Sequence, residues 1–307
     1  MNTWKNSTTK ERIKRLKQEK DAVILAHYYT PSEVQEVADY VGDSFYLSKL
    51  ASTLPQKVLC YCGVYFMGES AKALNPQKTV LMPDLTADCP MAHMVNLEQL
   101  NQLRHQYDDL AVVCYINSTA TVKTYADVCV TSSNAVNIVK SLPNEHIFFI
   151  PDQHLGSYIA KQVPEKHIIL NDGYCPIHHK ITAEGILLQK NAHKDALVLV
   201  HPECPASVVE LADYVGSTSG ILDYAKTSNK KEFIIATEDG ILYELKKENP
   251  DKVFYPATEN QICPDMKKIT LEKILSALET MQPTMEMEDS FIEASKQPLL
   301  RMLELSK

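Results

Sequence analysis

Cys89, Cys175 and Cys263 lie 86 and 88 residues apart, and each is followed by proline. Structural zinc usually draws its thiolates from local Cys-x-x-Cys pairs. Isolated thiols recurring at a domain-sized interval point instead to a metal centre assembled from three equivalent loops. A [4Fe–4S] cluster normally takes four cysteines, so three would leave one iron open to act as a Lewis acid on a substrate. A zinc enzyme using the same thiols, and a non-enzymatic iron–sulfur sensor, remain alternatives at this point. The other five cysteines carry less chemistry. Cys60 and Cys62 alternate within an apolar run, Cys114 ends another, and Cys129 sits in an apolar stretch, all in keeping with buried free thiols. Cys204 also precedes a proline, but its counterparts are Thr30 and Ser118, so it breaks the threefold pattern.

A second constellation recurs at the same intervals. His27-Tyr28-Tyr29, Tyr115-Ile116-Asn117 and His201-Pro202-Glu203 occupy equivalent places, where a purely structural loop would favour Gly, Ser or Asp. Seventeen positions after the first residue of each come Ser44, Ser132 and Thr218. Each hydroxyl precedes a helix-like segment, where it would serve as an N-cap. A helix start also offers free N–H groups and a positive dipole end to anions. Three such starts would suit a substrate with several carboxylates or phosphates. Glu203 is the charged member of its set of slots.

The elements that must hold these residues come from an internal repeat. Segments starting at Asp21, Asp109 and Asp195 align without a gap to Pro76, Pro164 and Pro250, and Asp21, Val34, Ala38, Asp39 and Pro76 are identical in all three copies. Each copy has a short apolar run (AVILA, AVVCY, ALVLV), an amphipathic helical stretch, a second run (KVLCYC, HIFFI, EFIIA), another helical stretch and a third run (TVLMP, HIILN, KVFYP). Strands alternating with helices predict parallel sheets covered on both faces. The expected fold is α/β: three three-layer α/β/α sandwich domains related by pseudo-threefold symmetry, over residues 21–108, 109–194 and 195–280. Helical extensions are expected at 1–20 and 281–307, the first exposed and amphipathic. Ligands of open α/β sheets bind beyond the carboxyl ends of the strands, which is where the slot residues fall, so a single active site at the common interface is expected.

Composition narrows the classes. The 307 residues are 45% apolar and 23% charged, with a net charge of −8 from 39 acids and 31 bases. An acidic chain without a basic stripe argues against nucleic-acid binding. No apolar run approaches the ~20 residues of a membrane span. Eight cysteines behind a basic N-terminal segment that lacks the apolar core of a signal peptide suggest a reducing compartment, the cytoplasm.

Taken together, AHYY (26–29), GDS (42–44), PDLTADCPMA (83–92), TSSNAV (131–136), PDQHLG (151–156), GYCPIH (173–178), HPECP (201–205), ADYVGSTSGIL (212–222) and CPDMKKITL (263–271) resemble the quinolinate synthase family, in order and over nearly the whole chain. The resemblance implies an enzyme of de novo NAD biosynthesis, a transferase that condenses iminoaspartate with dihydroxyacetone phosphate to quinolinate, losing phosphate and water. It implies one [4Fe–4S] cluster on Cys89, Cys175 and Cys263, with an open iron. Iminoaspartate contacts carry over to His27, Ser44, Tyr115, Asn117, Ser132, His201, Glu203 and Thr218, with Ile116 and Pro202 in the same slots. Tyr29 falls where the family has a tyrosine implicated in proton transfers, and with these substrates Tyr29, Glu203 and His201 are the acid–base candidates, Glu203 suiting proton transfer better than the binding of anions. An iminoaspartate-supplying oxidase or dehydrogenase is the implied partner. Another cluster-dependent lyase or dehydratase on a small polycarboxylate is the runner-up. Three positions depart from the common pattern: His178-His179 stands where many members have His-Glu, Asp88-Cys89-Pro90 replaces a more usual Gly-Cys-Ser, and Cys263 stands alone where some relatives carry further cysteines.

Overall fold

The computed structural model describes residues 8–307, so the first seven residues of the basic N-terminal segment lie outside the described residues. The chain divides into two compact units, Met1–Cys89 with Pro264–Lys296, and Pro90–Cys263 with Gln297–Lys307. The first unit holds one sheet, built from β1 (Ala22–His27), β2 (Tyr40–Gly42), β3 (Val58–Cys62) and β4 (Thr79–Leu81) in the order β2-β1-β3-β4. The second holds two. One comprises β5 (Ala111–Tyr115), β6 (Val128–Val130), β7 (His146–Ile150) and β8 (His167–Leu170), ordered β6-β5-β7-β8. The other comprises β9 (Leu197–Val200), β10 (Tyr214–Val215), β11 (Glu232–Ala236) and β12 (Val253–Pro256), ordered β10-β9-β11-β12. Every strand pairing within the three sheets is parallel. Parallel neighbours need crossover connections, and the helices between strands supply them. Residues of β1, β3, β5 and β7 are buried almost without exception, as expected of strands covered on both faces.

The three apolar runs of each repeat are three strands of its sheet. The fourth strand, β2, β6 or β10, is an addition to that reading. It has only two or three residues, too few for any periodicity to show. The aspartate shared by all copies explains how so short a strand holds its place. The Ile24 N–H donates to the Asp39 carboxylate at 2.8 Å, Val112 N–H to Asp127 at 2.7 Å and Val198 N–H to Asp213 at 2.8 Å. In return each aspartate's own N–H donates to the carbonyl of the same partner residue at 2.9 Å. The side chain thus adds a bond to a ladder with few of its own.

The helix ahead of each first strand joins this arrangement. Lys17 (helix Thr9–Glu19), Arg104 (helix Leu97–Gln106) and Lys190 (helix Ala183–Ala192) pair with Asp39, Asp127 and Asp213 at 2.6, 3.1 and 3.4 Å. The helix Thr9–Glu19 is therefore not an exposed extension. It buries Ile13 and Leu16 and pairs Arg12 with Glu279 of the helix Leu271–Thr280, because one apolar stripe of an amphipathic helix needs a partner surface.

A lysine two places beyond the shared proline closes the helix after each short strand. Lys78 Nζ donates to the carbonyls of Ala51 and Leu54, Lys166 to those of Leu142 and Asn144, and Lys252 to those of Ala225 and Ser228. These are orphan carbonyls at helix C-termini, where a cation also meets the negative end of the dipole. In the first unit, residues 283–285 run antiparallel along β4, with Met82 N–H bonded to Pro283 O and Met285 N–H to Val80 O. That covers a strand edge that would otherwise offer unpaired backbone groups.

Candidate active site

The slot residues sit at the carboxyl ends of first strands. His27 ends β1, Tyr115 ends β5 and His201 follows β9. Both histidines are buried and share a local turn: the Tyr29 N–H donates to His27 Nδ1 at 3.1 Å and the Glu203 N–H to His201 Nδ1 at 3.4 Å. A ring whose Nδ1 accepts carries its proton on Nε2, so each imidazole presents an Nε2–H donor. That of His201 reaches Ser132 Oγ at 3.1 Å. Tyr29 packs edge-on against the His27 ring at 4.5 Å, and Lys267 Nζ donates to its carbonyl. Tyr115, Ile116 and Pro202 are buried. Asn117 is half-buried, and its Oδ1 is shielded from water with no hydrogen-bond partner among the described residues. An orphaned buried acceptor costs about 1–3 kcal/mol, a cost that a donor on a ligand would remove.

The three hydroxyls differ from the capping expected of them. Ser44 and Thr218 are the first residues of the helices Ser44–Thr53 and Thr218–Thr227, while the caps are Asp43, accepting from Tyr46 N–H, and Ser217, accepting from Gly220 N–H. Ser132 lies in the turn before the helix Ala135–Ser141, where Asn134 Oδ1 accepts from Thr131 N–H. The cap falls one place earlier in the first and third copies because β2 and β10 deliver Asp43 and Ser217 in the extended conformation a cap requires. Ser44 and Thr218 therefore do not cap their helices.

The densest chemistry is in the second unit. Cys175 precedes the short helix Pro176–His179, whose first residue is proline, a favoured start. Three residues on, His178 returns to the same face, placing Nδ1 3.1 Å from Cys175 Sγ and 3.3 Å from Glu203 Oε2. Glu203 Oε2 also lies 3.2 Å from His201 Nδ1, and the two imidazoles stack at 4.8 Å. His178 Nε2 pairs with Thr237 Oγ1 at 2.9 Å. Burial lowers the His178 pKa to about 4, so the ring is neutral in ordinary buffers. Cys175, His178 and Glu203 bring three potential metal-ligating atoms within 4.8 Å of one another. Asp152 borders this group. Its Oδ1 caps the helix Gln153–Gln162, and burial, followed by the Glu203 charge, raises its carboxyl well above the usual range.

Only three of the eight cysteines keep part of their surface exposed, and they are Cys89, Cys175 and Cys263. Burial pushes Cys62, Cys129 and Cys204 well above the ordinary thiol range, which makes them inert. Two of the exposed cysteines have a backbone N–H held by a carboxylate: Cys89 by Asp88 at 2.8 Å and Cys263 by Glu238 at 2.9 Å. Accessible thiols outside any disulfide fit the soft donor set an iron–sulfur cluster requires. Thr237, Asp152 and Glu238 lie outside the recurring slots of the sequence. The last two recur 86 residues apart after β7 and β11, but the first copy has Val64 at that place, so no threefold signal marked them.

The family model described as Quinolinate synthetase A protein (NadA) matches residues 11–304. The chain is 54% identical over 297 residues to the quinolinate synthase of Caldicellulosiruptor saccharolyticus, covering 97% of this chain and 98% of that protein. It is 53% identical over 295 residues to that of Clostridioides difficile, covering 96% and 97%, and 50% identical over 297 residues to that of Thermodesulfovibrio yellowstonii, covering 97% and 98%. A match along almost the entire length, over a chain whose exposed cysteines and slot residues lie within it, makes this protein a member of the quinolinate synthase family.

Proposed function

We propose that the protein is a cytoplasmic quinolinate synthase of NAD biosynthesis, condensing iminoaspartate with dihydroxyacetone phosphate to quinolinate with loss of phosphate and water. The observation that carries this reading is the selective exposure of Cys89, Cys175 and Cys263, which would be the three protein ligands of one [4Fe–4S] cluster. When bound, the cluster supplies an iron with an open position, a Lewis acid for hydroxyl loss.

The chain's own residues handle anions and protons. Iminoaspartate carries two carboxylates and dihydroxyacetone phosphate a phosphate. Ser44, Ser132 and Thr218 bind these groups, with Nε2–H donors from His27 and His201. The Asn117 Oδ1 takes a substrate N–H or O–H, which supports a binding role for its slot. Tyr115 joins the same slot, and buried Ile116 and Pro202 keep water from it. Glu203 is the proton carrier: its Oε2 lies within 3.3 Å of two imidazole nitrogens, so a proton taken from substrate has a short relay to His201. Tyr29, packed on His27, serves the proton transfers on its side.

The deciding experiment reconstitutes the anaerobic protein with iron and sulfide, adds both substrates, with iminoaspartate generated by an oxidase or dehydrogenase, and measures quinolinate. Full cluster content with no quinolinate would refute the reading and favour a different cluster-dependent lyase.

A further inference from the structure

The donors around His178 suit something smaller than a cluster. In the tautomer that donates Nε2–H to Thr237 Oγ1, the Nδ1 lone pair points at Cys175 Sγ and Glu203 Oε2, both electron-pair donors themselves. The thiol proton accounts for the Cys175–His178 contact in the metal-free protein, and a cation that displaces that proton would be met by all three atoms. Zn–S, Zn–N and Zn–O bonds of about 2.3, 2.0 and 2.0 Å at tetrahedral angles put donor atoms about 3.3–3.6 Å apart. Two edges of the set are 3.1 and 3.3 Å, and the whole set spans no more than 4.8 Å. A hydrogen bond to the non-ligating nitrogen is the usual way a metal-binding histidine is oriented, and Thr237 supplies it.

We propose that the cluster-free protein binds one divalent transition-metal ion, of the zinc class, through Cys175 Sγ, His178 Nδ1 and Glu203 Oε2. The charges suit a buried site. Cys175 loses its proton to solvent on binding, so one thiolate and one carboxylate neutralise the dication, and the neutral imidazole adds no charge. His178 and Glu203 are 1% and 3% exposed, whereas Cys175 stays accessible and gives the ion a way in. Thiolate and imidazole select against magnesium and calcium. The fourth position is left for water. The site shares Cys175 with the cluster assignment above but needs neither Cys89 nor Cys263, so ion and cluster exclude each other.

Cobalt(II) is the probe, because a thiolate-bound tetrahedral Co2+ shows charge-transfer and intense visible bands. Titrating the anaerobic, cluster-free full-length protein should give one bound Co2+ with a single-thiolate signature, displaced by Zn2+. Cys175→Ser, His178→Ala and Glu203→Gln should each weaken binding by more than ~100-fold, and Thr237→Val, which keeps the shape and removes the orienting partner, by about 10- to 100-fold. Cys89→Ser and Cys263→Ser should bind as the parent does. Loss of Co2+ in either of these two, or unchanged binding in any of the three ligand variants, overturns the site. Zn2+ preloading should block assembly of the cluster from iron and sulfide. Assembly with the zinc retained also overturns it. These readouts do not use quinolinate formation, so failure here and failure of the proposed activity are separately visible.

Discussion

Replacing Asp127 by alanine removes the side chain that holds β6 against β5. The carboxylate accepts Val112 N–H at 2.7 Å and pairs with Arg104 at 3.1 Å. A hydrogen bond to a charged group is worth about 1.5–3 kcal/mol, and a partly exposed ion pair adds about 0–1 kcal/mol. The expected loss is about 2–3 kcal/mol, or roughly 30- to 150-fold in the opening equilibrium of the edge strand. Because β6 has only three residues, the loss should be local. Hydrogen exchange read by mass spectrometry should show lost protection in peptides covering 111–115 and 128–135, and unchanged protection in β9 and β11 of the same unit. Asp127→Asn retains an acceptor and should lose about half as much, whereas Arg104→Ala should cost less than ~1 kcal/mol. If Arg104→Ala reproduces the alanine effect, the ion pair and not the backbone bond holds the strand, and the reasoning is wrong. Ser132 lies two residues past the end of β6, so a frayed edge should also raise KM more than it lowers kcat.

Other outcomes are expected. Serine in place of Cys89, Cys175 or Cys263 should remove most bound iron and all turnover, while serine at Cys60, Cys62, Cys114, Cys129 or Cys204 should keep the cluster, as iron analysis will show. Glu203→Gln should hold cluster and substrate yet lose turnover by roughly 10²-fold or more, and near-normal turnover would move the proton-transfer role to Tyr29 or a histidine. Burial opposes ionisation of Asp84, but Lys273 at 2.5 Å and the Thr86 donors outweigh it and hold its pKa below the usual range. A depressed carboxylate stabilises the fold above its unfolded value of about 3.9 and loses that contribution as pH falls through its folded value. Lys273→Met should therefore lower stability at neutral pH and flatten its decline in acid, measured as urea midpoints across pH.

Much of the fold is legible in the sequence because its strands are continuous apolar runs, and Asp39, Asp127 and Asp213 repeat in register. The short edge strands escaped because Tyr40–Gly42 and Tyr214–Val215 contain nothing a period can act on. Their placement rests on a side-chain bond fifteen residues away in sequence. The caps moved by one position for the same reason, since the end of an unseen strand decides which residue is extended. In the candidate site, Cys175 was legible as a recurring thiol and Glu203 as the odd charge among three slots. Their meeting with His178 was not. Glu203 is 28 residues from Cys175, and only the packing of two sheets' loops in one unit brings them together. Thr237 had no signal at all: a threonine after a strand is ordinary until a buried imidazole is found against it.

The aspartate staple has a consequence for how one scaffold could come to carry three unlike slots. A strand held mainly by its own ladder restricts the sequence that follows, because register errors propagate into the next turn. Here the anchoring atom lies ahead of the strand, and the strand is so short that its composition hardly matters: YVG, VCV and YV all serve. The turns that follow, Gly42-Asp43-Ser44, Thr131-Ser132-Ser133 and Gly216-Ser217-Thr218, could thus drift apart after duplication without endangering the sheets beneath them. Copies that began alike were free to specialise, one keeping a hydroxyl at a helix start and another lending it to His201. An asymmetric substrate can be met by a symmetric ancestor only if such freedom exists, and a single carboxylate per copy provides it.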